Sequence, residues 1–266
     1  LVWPGLVVEE NNLQVHVSKL RKVLGTEAIA TVPGFGYRFA LDPIPARSLV
    51  ARPRHSRGNL PAPLTSFVGR DAVLHDVRSR LGTSRLVTLT GAGGMGKSRL
   101  AAEVARLTSD EFADGAWVVD MAPLADGRLI AEAAAAALDV PRDAANSALD
   151  AIARHASLRK LVLVLDNCEH VLPDCAQLVR RLLEADGGVR LIATSREPLH
   201  VAGEVVRTVP ALETPHGHDD DCVQALHGLS SVALFVDRAA AARPGFTLTN
   251  ANARAVARIC RDLDGI

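Results

Sequence analysis

Residues 86–100 read LVTLTGAGGMGKSRL, an apolar run that enters a glycine-rich turn and leaves it through Gly-Lys-Ser. No other stretch narrows the possible folds so far. Gly91-Ala92-Gly93-Gly94-Met95-Gly96-Lys97-Ser98 fills the pattern Gly-x-x-x-x-Gly-Lys-Ser/Thr completely. It follows a strand-like run and opens a helical one, which is the context that pattern needs. Gly91, Gly93, Gly94 and Gly96 let backbone N–H groups converge on phosphate oxygens, and the helix N-terminus adds partial positive charge. Lys97 is then expected at the β- and γ-phosphates, and the Ser98 hydroxyl on Mg²⁺. Lys97 is one of four lysines beside 26 arginines. A lysine here fits a demand for a compact ammonium.

Downstream, Leu161–Asp166 is an apolar strand ending in an acid. Asp166 is expected to hold Mg²⁺ through water. Asn167 follows, where an acid would orient the attacking water. An amide cannot take a proton, so hydrolysis is expected to be slow. Glu169 and His170 are the nearby groups that can substitute, and they read as ordinary loop residues. The next strand ends RLIATSRE, which sets Arg196 at its C-terminal edge to report a γ-phosphate.

Strands are expected at Leu86–Thr90, Ala116–Asp120, Leu161–Asp166, Arg190–Thr194 and Val205–Val209. Helical patterns between them include Ser98–Leu107, Leu129–Leu138, Leu149–Leu158 and Ala176–Glu184. Strands apolar throughout belong in a parallel sheet covered on both faces. The fold class is therefore α/β in three layers.

Ahead of this body lie two different textures. Residues 11–25, NNLQVHVSKLRKVLG, read as a helix with an apolar stripe of Leu13, Val17, Leu20 and Leu24. Ile29–Ala40 reads as a hairpin turning at Pro33-Gly34. Residues 43–63 hold five of the 14 prolines and four arginines but no acid, as expected of a stiff, basic, poorly folded linker. Residues 1–63 carry eight Lys/Arg against four Asp/Glu, and residues 64–266 carry 22 against 26. A basic front and a mildly acidic body imply different partners. Four cysteines without paired spacing argue for a reducing compartment and against a structural zinc. No apolar run is long enough to cross a membrane, and no signal peptide is visible. A cytoplasmic location follows.

Phe67-Val68-Gly69-Arg70-Asp71, GAGGMGKS, LVLVLDNCEH and LIATSRE, in this order, resemble the NB-ARC branch of the STAND signal-transduction ATPases. The resemblance covers about 65–266. It implies a P-loop NTPase with a five-stranded parallel sheet, the sensor strand lying between the phosphate-loop and Walker B strands. It also implies Val68 and Arg70 as adenine-side contacts and ATP or ADP with Mg²⁺ as ligands. The tail from Ser231 resembles the start of the helical subdomain that follows, whose Gly-x-Pro segment closes over adenine. The chain stops at Asp264-Gly265-Ile266, where that segment would begin.

Residues 11–40 resemble the end of an OmpR-type winged helix. That resemblance implies Gln14, Val15 and Lys19 on the base-reading side of a recognition helix. His16, Arg21 and Lys22 would be at or beside phosphates, and Tyr37 and Arg38 on the wing. Without the helices that precede it in that family, this winged helix is truncated and is expected to bind DNA weakly.

The expected domains are 1–42 for the winged-helix end, 43–63 for the linker, 64–214 for the nucleotide-binding domain and 228–266 for the helical subdomain. The expected function is a DNA-binding transcription regulator switched by ATP and ADP, a slow ATPase at most, with self-association in the ATP state possible. Two alternatives stand beside it. One is an AAA-type motor or loader with fast turnover; the other is a module that holds nucleotide without switching.

Overall fold

The computed structural model describes residues 17–19, 21–22, 28–32, 36–39, 58–141, 147–185, 187–217 and 223–266. Two compact units divide the chain, Leu1–Arg54 and His55–Ile266. In the first, β1 (Ile29–Val32) pairs antiparallel with β2 (Gly36–Phe39), Ile29 opposite Phe39 and Val32 opposite Gly36. The expected turn residues Pro33 and Gly34 lie outside the described residues, as do Gln14, Val15 and His16. Val17, from the helical residues 17–19, is buried with Ala28 and Ile29, and Tyr37 packs against them.

The second unit is built on a five-stranded parallel sheet in the order β4-β5-β6-β3-β7. These strands are β3 (Leu86–Thr90), β4 (Ala116–Asp120), β5 (Val162–Asp166), β6 (Arg190–Thr194) and β7 (Glu204–Thr208). The sensor strand β6 lies between β3 and β5, as the resemblance implies. Strand β7 sits one residue earlier than its apolar run indicates, because Glu204 pairs with Leu86 and Thr208 with Thr90.

Strand β5 shows why its sequence is apolar at every position. Leu163 and Leu165 point into a core with α3 (Ile130–Ala137), α4 (Ala148–Ser157) and α5 (Leu172–Glu184). Val162 and Val164 point the other way, against α1 (Asp71–Thr83) and α2 (Lys97–Thr108). Helix α5 starts four residues ahead of the periodic apolar stretch. Pro173 sits in its first turn, where no amide donor is needed. Helix α1 has no counterpart among the helices anticipated above, although its buried stripe of Leu74, Val77 and Leu81 is helical in spacing.

A third, separate core joins α6 (Val223–His227), α7 (Ser230–Ala242) and α8 (Ala253–Asp262) through Leu226, Val232, Val256 and Cys260. Phe235 and Phe246 meet edge to face in it, with centroids 6.1 Å apart.

The end of the proline-rich stretch departs from the expectation of a poorly folded linker. Gly58 bridges Ala116 in parallel fashion. The Asn59 side chain donates to Val118 O at 2.9 Å and accepts from Val118 N at 2.6 Å. Leu60 packs on the α1/α2 side of the core. Composition missed this because an amide side chain here does the work of a backbone partner.

Candidate nucleotide-binding site

The loop between β3 and α2 carries left-handed φ at Gly91 (144°), Gly94 (79°) and Gly96 (74°). Side chains rarely adopt such angles, so glycine fits there for a backbone reason. Gly96 caps α2, whose first residue is Lys97. The Lys97 side chain is buried, and its Nζ donates to Gly91 O at 2.8 Å and Ala92 O at 2.9 Å. The ammonium thus lies on the loop's own carbonyls at its centre.

Three strand ends supply the rest. Asp166 closes β5, and its Oδ1 accepts from the Thr194 hydroxyl at the end of β6. The same hydroxyl oxygen accepts the Asn167 N–H at 3.0 Å. Asn167 has φ 60° and ψ 50°. Asparagine is among the few residues that tolerate this left-handed conformation. Its amide donates to Asp120 Oδ1 at 3.4 Å. Position 167 therefore has a conformational reason for its residue besides the chemical one. Ser98 and Asp166 line one cavity of about 280 Å³, with Pro61, Ala62 and Pro63 on its other wall.

Thr194 is a residue that motif reading passes over. It is fully buried and joins the two positions of the acidic strand end. Thr194→Val is expected to strand both partners and lower stability by about 1–3 kcal/mol. It should also loosen Mg²⁺-dependent nucleotide binding. Thermal melts and Mg²⁺ titrations check this, and an unchanged melt would contradict the bridging role.

On the other side of the loop, Val68 and Arg70 share a cavity of about 180 Å³ with Gly94, Gly96, Leu234 and Ile266. The Arg70 guanidinium lies 3.9 Å from where a Cβ at Gly96 would be. Its Nη1 is buried and has no partner among the described residues. Burial lowers the Arg70 pKa from its ordinary value. A buried cationic donor facing a glycine loop is what an anionic or hydrogen-bonding ligand would satisfy. The residues present therefore fit a nucleotide. Arg238 of α7 donates to Ser66 O at 2.9 Å, and Leu212 N donates to Gly265 O at 3.0 Å. A Cβ at Gly69 would stand 2.4 Å from that of Ser230. So the 66–70 segment, the phosphate loop and the helical region converge on one cavity.

Arg196 ends up beside the loop, its Nη2 4.0 Å from a Cβ built at Gly93. It pairs with Glu169 at 3.5 Å. His170 is held to Leu124 O at 3.0 Å. Cys168 is buried, and the neighbouring Cys175 thiol and burial together push its pKa well up. That suits an inert thiol.

Of the remaining expected DNA contacts, Lys19, Lys22 and Arg38 are exposed. Arg21 is engaged internally. It donates to Ile29 O at 2.9 and 2.6 Å and to Thr31 Oγ1 at 2.9 Å. It also stacks 5.7 Å from the Tyr37 ring centroid. Both residues bind helix to hairpin, a role that charge counting does not show.

The family profile described as "AAA domain" matches residues 78–199. That described as "Transcriptional regulatory protein, C terminal" matches residues 1–39. Residues 1–39 are thus similar to the end of a transcriptional-regulator domain, and residues 78–199 to an AAA-type P-loop domain. A Mycobacterium tuberculosis protein named as an HTH-type transcriptional regulator is 43% identical over 190 residues, covering 71% of this chain and 20% of that one. An uncharacterized protein of the same species is 38% identical over 203 residues, covering 76% and 48%. The regulatory protein AfsR of Streptomyces griseus is 32% identical over 150 residues, covering 52% and 15%. The chain spans about a fifth of the length of the first of these relatives. A solved STAND protein with a tetratricopeptide repeat sensor from Pyrococcus horikoshii overlays with TM-score 0.49 at 16% identity, covering 80% of this chain and 30% of that one. Among the described residues no helix is long and apolar enough to cross a membrane.

Proposed function

We propose that this chain is the ATP/ADP-binding switch of a cytoplasmic, DNA-binding transcription regulator of the NB-ARC kind, hydrolysing ATP slowly with Mg²⁺. The observation that carries the reading is Arg70. Its buried Nη1, without a partner among the described residues, faces the phosphate loop in the cavity that the 66–70 segment and Ile266 share. A ligand there touches three segments at once, so the nucleotide's identity can set how they sit together. In this reading Val68 and Arg70 hold the adenine side. The loop amides and Lys97 hold the phosphates, Ser98 and Asp166 hold Mg²⁺, and Arg196 meets the γ-phosphate. Slow turnover fits Asn167: the position directly after Asp166 holds an amide, which cannot accept a proton, so any acid that serves must stand further along the chain. Lys19, Lys22 and Arg38 serve DNA phosphates or bases, and self-association belongs to the ATP state.

The test is the nucleotide that the purified protein carries. The protein is denatured, and what it releases is identified and counted. Near-stoichiometric ADP is the expected result. An empty site with rapid turnover on adding ATP would favour a motor. Equal ATP and ADP affinity with no change of shape would favour a static module.

A further inference from the structure

The 3-10 turn Cys168–His170 holds Glu169, an acid that the sequence reads as an ordinary loop residue able to stand in for the carboxylate missing at 167. Glu169 sits directly beyond the Walker B strand, and its position is fixed from both sides. Ahead of it, Cys168 Sγ donates to Leu165 O at 3.4 Å. Behind it, the His170 ring is bonded to Leu124 O at 3.0 Å. Oε1 of Glu169 pairs with Arg196 Nε at 3.5 Å, while Oε2 is buried and has no partner among the described residues. The other acids around the loop are engaged. Asp166 accepts from Thr194. Asp120 accepts from Ala122 N at 2.9 Å and from the Asn167 amide. Glu103 is paired with Arg106. Glu169 alone among them keeps a buried oxygen without a donor.

Its partner faces two ways. The Arg196 side chain is 70% exposed and reaches from Glu169 to the edge of the phosphate loop at Gly93. An exposed pair at 3.5 Å is weak. A γ-phosphate offers the guanidinium a denser charge and two parallel acceptors. The phosphate wins that competition, and Glu169 then loses its cation while keeping a desolvated oxygen.

We propose that Glu169, not the residue at 167, is the carboxylate that orients the hydrolytic water, and that Arg196 occupies it until a γ-phosphate arrives. This rests on the nucleotide switch proposed above and names its hydrolytic residue. The water oxygen bonds to the γ-phosphorus as the bond from that phosphorus to the β,γ-bridging oxygen breaks. The water proton passes through Glu169 to the departing phosphate, leaving ADP and inorganic phosphate. The Arg196–Glu169 pair then re-forms, so hydrolysis is gated by the same arginine that reports the nucleotide.

The test pairs single-turnover hydrolysis of Mg-ATP with equilibrium binding of ATP and ADP, on the 266-residue chain. Glu169→Gln is expected to slow hydrolysis by about 100-fold or more. ATP affinity should hold or tighten, because Arg196 has no acid to leave, and ADP affinity should not change. Glu169→Asp keeps the charge but draws it back by a methylene. It should retain nucleotide affinity and lose about tenfold or more in rate. A Glu169→Gln protein that turns over within about threefold of the parent overturns the proposal. Equal weakening of ATP and ADP by that variant, the mark of a merely structural residue, also overturns it. A parent that binds ATP yet never hydrolyses it overturns this proposal and the slow hydrolysis, but leaves the nucleotide-binding switch standing. A parent that binds neither nucleotide overturns the switch as well.

Discussion

Lys97→Ala is expected to weaken ATP binding by about 10–150-fold, the equivalent of charge-assisted hydrogen bonds worth roughly 1.5–3 kcal/mol. The side chain is 8% exposed, and its ammonium already rests on Gly91 O and Ala92 O. Phosphate oxygens would take over these donors at little reorganisation cost. Alanine removes the charge and leaves two carbonyls turned inward, so the loop also loses its central tie. Lys97→Arg should not rescue fully, because a planar fork cannot occupy the space of a compact ammonium. Calorimetric titration with ATP and ADP checks this. Unchanged affinity would mean that the phosphates lie elsewhere.

Leu163→Ala is expected to lower stability by about 2–5 kcal/mol, since it opens a cavity at a fully buried site. Leu163 lies in the second strand of the sheet and is 0% exposed. Its side chain enters the core shared with α3, α4 and α5, where rigid neighbours limit collapse. For a unit of this size the melting midpoint should fall by about 4–20 °C. Leu158→Ala is the matching control. That leucine is 85% exposed, so the change should stay within about 0.5 kcal/mol. Equal shifts for the two would mean that burial does not govern the loss. Differential scanning calorimetry distinguishes the cases.

What sequence could and could not reveal divides along the range of the interactions. The phosphate loop was legible because it is local: strand, glycines, lysine and helix stand next to one another. The sheet was legible because Leu161–Leu165 can be apolar throughout only if both faces are covered. The five strands were found within a residue, and β7 slipped because its bounds come from pairing with β3 rather than from its own apolar run. Long-range contacts left no such mark. Thr194 reaches Asn167 across 27 residues of sequence, and Asn59 reaches Val118 across 59. Neither has a motif. Arg21 looked like a phosphate contact because charge is visible in sequence, whereas its carbonyl partner and the tyrosine beneath it are not. Asn167 looked like a lost catalytic acid. Its left-handed backbone, which asparagine suits, appears only in three dimensions.

The anchoring of Gly58 and Asn59 has a mechanical consequence. The two Asn59 hydrogen bonds and the Gly58–Ala116 bridge lie side by side along β4. A pull on the chain ahead of Gly58 loads them together in shear, so they resist as a group instead of peeling one at a time. Beyond them the strap runs straight to the wall of the Ser98–Asp166 cavity through Pro61, Ala62 and Pro63. If that staple yields, the next thing displaced is one side of the proposed metal site.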